Sequence, residues 1–101
     1  MSSGTMKKYL LMMWISDNGT VFFHVNAYPA KHWIQSGWVP LIEIDGEEFG
    51  LIDSGYRVDE HWNIVYKGNR IVMTKQDVVT AIMIHKLAYG ELKFRLPEQL
   101  K

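Results

Sequence analysis

The tripeptide Asp17-Asn18-Gly19 constrains this chain more than any other feature of its sequence. Asn-Gly tolerates the positive φ that a tight hairpin demands, and here it separates two β-leaning runs. The first, Lys8 to Ser16, is almost continuously apolar, the pattern of a strand covered on both faces. The second, Thr20 to Tyr28, alternates. Val21, Phe23, Val25 and Ala27 share one face, and Phe22, His24, Asn26 and Tyr28 share the other.

Two more hairpins are expected. Asp45-Gly46 is a favoured two-residue turn inside Trp38–Asp53, and pairing about it sets Glu43 opposite Glu48. Ile42, Ile44, Phe49 and Leu51 then form the core side of that hairpin. After a break at Asp53-Ser54-Gly55 and a turn at Asp59-Glu60-His61, the third hairpin runs Trp62–Tyr66, Lys67-Gly68-Asn69, Arg70–Met73. Leu92, Phe94 and Leu96 alternate with Lys93 and Arg95, which predicts a closing strand ended by Pro97.

Two helices interrupt the strands. Pro29 suits a first helical position, so a short helix is expected over about 30–36, stopping at Gly37. The longer one has Thr74 as N-cap, Asp77 three residues on, and Gly90 as terminator, giving a helix over Lys75–Tyr89. Its apolar positions, Val78, Val79, Ile82, Met83, Leu87 and Ala88, make a wide stripe suited to lying on a sheet. The order of elements predicts an α+β fold: an antiparallel or mixed sheet of about five to seven strands built from hairpins, with both helices packed on it.

A length of 101 residues and 48% apolar content fit one domain with one core and exclude intrinsic disorder. Met1-Ser2-Ser3-Gly4-Thr5 reads as a vector remnant or disordered tail, leaving residues 6–101 as the domain. There is no cysteine, hence no disulfide framework, thiolate metal site or cysteine nucleophile, and a reducing cytoplasm is the expected setting. The apolar run Tyr9–Ile15 is far short of the roughly 20 residues a bilayer span takes, so a soluble chain is expected.

Net charge is zero but unevenly spread. Between Leu41 and Glu60, the acids Glu43, Asp45, Glu47, Glu48, Asp53, Asp59 and Glu60 face one base, Arg57. Lysines elsewhere are scattered rather than striped, which disfavours nucleic acid as a partner.

Chemistry-bearing patterns are sparse. His24, His32, His61 and His85 form no helical metal pair, and neither a nucleophile elbow nor a phosphate-cradling glycine loop is present. The face of Phe22, His24, Asn26 and Tyr28 combines aromatic bodies with polar tips, as small-ligand pockets do. A partner-facing acidic patch is expected around Glu43, Asp45 and Glu48. Trp33 and Trp38 are expected to bury against a protein, because Trp is enriched at interfaces.

These features point to a small non-enzymatic binding domain without cofactor or metal. It would act through protein contacts, with a basic partner favoured, or by holding a small ligand. Such a domain would suit an accessory or regulatory protein of a microbe or phage, and a homodimer is compatible with its size. The competing expectation is a small metal-dependent hydrolase or nuclease using His61 or His24 with nearby carboxylates.

Overall fold

A computed structural model describes residues 8–45, 55–66 and 70–101. Among them the chain runs β1 (Lys8–Ile15), β2 (Val21–Ala27), α1 (Lys31–Gln35), β3 (Val39–Asp45), β4 (Tyr56–Val58), β5 (Ile64–Tyr66), β6 (Arg70–Met73), α2 (Lys75–Tyr89) and a closing 3-10 turn (Glu98–Leu100). The expected α+β class holds, but the single sheet does not. Among the described residues, six strands divide into two antiparallel three-stranded sheets, ordered β2-β1-β3 and β4-β5-β6.

The first sheet follows from the Asp17-Asn18-Gly19 turn. Ser16 and Thr20 close the loop through backbone contacts, Gly19 takes φ +88°, and Asn18 accepts from the Thr20 amide. Register runs from Ile15↔Val21 to Tyr9↔Ala27. β1 is central, with β3 antiparallel on its other edge and a bulge that leaves Leu41 without a partner. An apolar run at a central position is what covering on both faces requires.

The two faces of β1 enter different clusters. Leu11, Met13 and Ile15 point to the main core with Val39, Ile44 and half-buried Phe23 and Val25. Leu10 and Met12 point the other way and are covered by Ile34, Trp33 and Trp38. The main-core face is apolar across all three strands, so it needs a broad cover. The second sheet supplies Tyr56, Ile64, Tyr66 and Met73, and α2 supplies Val78, Ala81 and Ile82. Phe23 meets Tyr56 across the layers at 6.2 Å. Two small sheets packed together bury both apolar faces, which one continuous sheet would leave to two helices.

The long helix is capped as its sequence prescribes. Thr74 Oγ1 accepts from the Asp77 amide, and Asp77 Oδ2 accepts from the Thr74 amide. Asn63 adds a cap that the sequence does not announce, its Oδ1 accepting from the Lys75 amide at 2.9 Å. Gly90 ends the helix at φ +87°. The buried stripe is Val78, Ala81, Ile82 and His85, not the wider set expected. Met83, Leu87 and Ala88 are exposed, because the line that meets the core runs through 78, 82 and 85.

Three other expectations change. The short helix begins at Lys31, since Ala30 is left-handed (φ +54°) and Pro29, after a cis Tyr28–Pro29 bond, stands outside it. Trp62 is left-handed (φ +63°) and belongs to the Asp59–Asn63 turn, so β5 starts at Ile64. Residues 92–96 form no strand. Leu92, Phe94 and Leu96 do alternate inward with exposed Lys93 and Arg95, yet they are held by side chains rather than a ladder. Phe94 packs on Trp14 at 5.0 Å, and Lys93 Nζ donates to the Gln35 carbonyl at the end of α1. The expected tail at 1–5, the Lys67-Gly68-Asn69 turn and the return strand after Asp45-Gly46 lie outside the described residues. No helix among those described is long and apolar enough to cross a membrane.

Candidate functional site

Residues paired across strands share a face, so the register locates the members of the expected sites that lie on β2 and β3. Phe22 pairs with Trp14, His24 with Met12 and Asn26 with Leu10; on the other edge Glu43 also pairs with Leu10. Leu10 and Met12 belong to the α1-covered cluster, so Phe22, His24, Asn26, Trp14 and Glu43 all lie on the outer face of the first sheet.

Helix α1 is laid across this face by Ile34, which is buried on Leu10 and Met12. The turn after α1 is tight, with the Trp38 amide donating to the Trp33 carbonyl. Gly37 makes that turn possible at φ +113°. A Cβ there would stand 2.8 Å from Lys93 Cδ and 3.0 Å from Trp14 Cζ3. Trp33 and Trp38 are thereby brought edge-to-face, 5.4 Å between centroids.

His24 lies flat on Trp33, 3.9 Å between centroids and 25° between planes. Trp38 stands 6.0 Å from His24 and 6.1 Å from Trp14, which continues into Phe94. The result is a connected aromatic platform built from β1, β2, α1, the following turn and the chain after α2. Every one of these rings is only partly buried. Phe22 and Tyr28 are exposed, and exposed Glu43 shares the face.

Two groups expected separately thus meet, His24 from the ligand set and Trp33 and Trp38 from the partner set. Asn26 does not join them as a polar tip; its Oδ1 accepts from the Ala27 amide. Glu48 and the side chain of Asp45 lie outside the described residues, so the Glu43–Glu48 pair does too. Trp14 and Phe94 were missed. The outward register of Trp14 was readable from the hairpin, but the approach of Phe94 depends on the path of the chain after α2.

The histidines do not gather. His61 is exposed and contacts Glu60 at 3.2 Å. Asp59 instead accepts from the His61 and Asn63 amides, and the Asn63 amide, outweighing the slight desolvation, holds its carboxyl below the usual range. Asp59 therefore shapes the turn. His85 is buried within the contact of α2 with the core, its Nδ1 has no hydrogen-bond partner among the described residues, and its ring lies tilted against Tyr89, 5.0 Å between centroids. Burial, aided by the charge of Lys93, lowers its pKa. Among the described residues no three His, Asp or Glu side chains stand together where a metal could be held, so the hydrolase alternative finds no ligand set there.

No protein-family model matches this chain, and neither does any curated protein or solved structure.

Proposed function

We propose that this chain is a small non-catalytic interaction domain that docks a protein partner on the aromatic face of its first sheet. The observation that carries this reading is the convergence of His24, Trp33, Trp38 and Trp14 into one half-exposed platform, with exposed Phe22 and Glu43 on the same face. Large, rigid aromatic groups left partly open to water are what interface hot spots are made of.

A protein surface fits this platform better than a small ligand. The 3.9 Å stacking of His24 on Trp33 closes the gap an inserted ring would need. Asn26, the expected polar anchor, is occupied by its neighbour's backbone. Single-stranded nucleic acid also stacks on aromatic side chains but needs a basic groove beside them, and Glu43 is the wrong charge for that. A partner presenting basic groups near its apolar contact would meet Glu43 favourably. A reducing cytoplasm suits the cysteine-free chain.

Co-purification from the source cells tests the reading with two surface variants, Phe22→Ser and Glu43→Lys. Both positions are exposed, so folding should be retained, which circular dichroism checks. The wild-type chain should retain a partner that each variant loses at least tenfold. Equal recovery by wild type and both variants would remove this face from the account.

A further inference from the structure

The chain has four asparagines, and only Asn18 is followed by glycine. That pair stands at the tip of the first hairpin, where every residue from Asp17 to Thr20 is exposed. Gly19 holds φ +88°, and a Cβ built on it would meet no atom within 4 Å. The backbone there is free of side-chain crowding, its own or a neighbour's.

The side chain next to that backbone is an electrophile. Asn18 Oδ1 accepts from the Thr20 amide at 3.0 Å and from Ser16 Oγ. Both donors polarise the Cγ–Oδ1 bond and so favour attack on Cγ. The other described asparagines are placed differently. Asn26 lies within the β1–β2 ladder, its Oδ1 accepting from the Ala27 amide at 2.8 Å. Asn63 Oδ1 caps the Lys75 amide, and the residue after it is the fully buried, β-branched Ile64. Only after Asn18 can the next residue turn through backbone conformations closed to residues that carry a side chain.

We infer that Asn18 is a self-modification site, at which the chain converts its own asparagine to aspartate and isoaspartate without an enzyme. The Gly19 nitrogen, having lost its proton to hydroxide, attacks Asn18 Cγ. The N–Cγ bond forms, the Cγ–Nδ2 bond breaks, and ammonia leaves with a proton taken from water. Water then opens the five-membered succinimide. Addition at Cγ gives aspartate, whereas addition at the main-chain carbonyl leaves the backbone running through the former side chain, as isoaspartate. One water is consumed and one ammonia released, and no oxidant or cofactor takes part.

A single contact opposes the attack. The Gly19 amide donates to the Ser16 carbonyl at 2.9 Å, and this bond must open first. Opening is cheap at a hairpin tip, because few buried contacts hold it. The products do not restore the original turn. Either one adds a negative charge beside Asp17, and isoaspartate also lengthens the loop by one backbone atom. This turn sets the register from Ile15↔Val21 onward, and β2 carries Phe22 and His24. Conversion therefore marks aged molecules in the hairpin that supports the aromatic face, whether or not that face docks a partner.

The full chain, held at mildly alkaline pH both folded and in urea, tests this by mass spectrometry of its peptides, with fragmentation to assign each site. In the folded chain acid should accumulate at position 18 at least about tenfold faster than at Asn26 or Asn63. Its rate there should lie within roughly tenfold of the rate in urea, as cheap opening of the tip requires. Isoaspartate should appear beside aspartate, the mark of a succinimide rather than of direct hydrolysis. Asn18→Gln, whose longer side chain would have to close a six-membered ring, should lose the early conversion. The isoaspartate form, separated by ion exchange, should unfold at a lower urea concentration than the fresh chain.

Position 18 intact in the folded chain while it converts in urea would mean that the turn protects it, and would overturn the inference. So would acid appearing first at Asn26 or Asn63, or aspartate alone at position 18.

Discussion

His24 lies face to face with Trp33, 3.9 Å between ring centroids, and this contact joins the second strand to the short helix that follows it. A five-residue helix has too few turns to persist alone. Its place on the sheet rests on Ile34, buried against Leu10 and Met12, and on this stack.

His24→Ala should therefore destabilise the domain by about 1–2 kcal/mol, the stacking contribution plus lost burial. His24→Phe, which keeps a flat ring, should recover most of that loss. Urea unfolding followed by tryptophan fluorescence measures both. Equal losses for the two variants would mean that the ring contact contributes little.

Gly37→Ala should be more damaging, at about 2–4 kcal/mol. A non-glycine residue at positive φ costs roughly 1–2 kcal/mol, and the new methyl group must also displace Lys93 or Trp14. Near-UV circular dichroism should weaken as Trp14 moves. A variant with an unchanged spectrum and midpoint would show that the turn has slack.

At the start of α2 two side chains share the orphan amides. Thr74→Ala removes the capping box and should cost about 0.5–2 kcal/mol, and Asn63→Ala, which removes the acceptor for the Lys75 amide, about 1 kcal/mol. Thermal melts of the single and double variants check this. An Asn63→Ala melt identical to wild type would contradict the second cap.

The hairpin at Asp17-Asn18-Gly19, the capped helix Lys75–Tyr89 and the outward register of His24 were all legible, because each rests on contacts within a few residues. What was not legible rests on distant ones. The alternation of Leu92, Phe94 and Leu96 is the same whether its inward side meets a ladder or Trp14, and only the path of the chain decides. The face of α2 was misjudged similarly. Apolar residues surround most of that helix, so sequence periodicity could not rank Leu87 below His85 as the buried residue. The aromatic platform was half legible: strand alternation put His24 outward, but nothing local brings Trp33 and Trp38 over it.

His85 gives the fold a pH dependence with a definite sign. Burial holds its folded pKa below the ordinary histidine value of 6.5, so the unfolded chain binds a proton first as pH falls. At pH 7 and above both states are neutral there and nothing is lost. Stability should decline as pH drops below about 6.5, until the lowered folded pKa is reached. His85→Leu should flatten that part of the profile, read as urea midpoints between pH 8 and pH 5. An equally steep decline in the variant would assign it to other groups.

The most direct test of the aromatic face as the recognition surface is site-specific photo-crosslinking in the source cells. A benzophenone side chain would replace Phe22, with the same probe at exposed Asp17, at the hairpin tip, as control. The account predicts a discrete adduct with one protein from position 22, absent from position 17 and suppressed by Glu43→Lys. Adducts equal at both positions, or none from position 22, would contradict it.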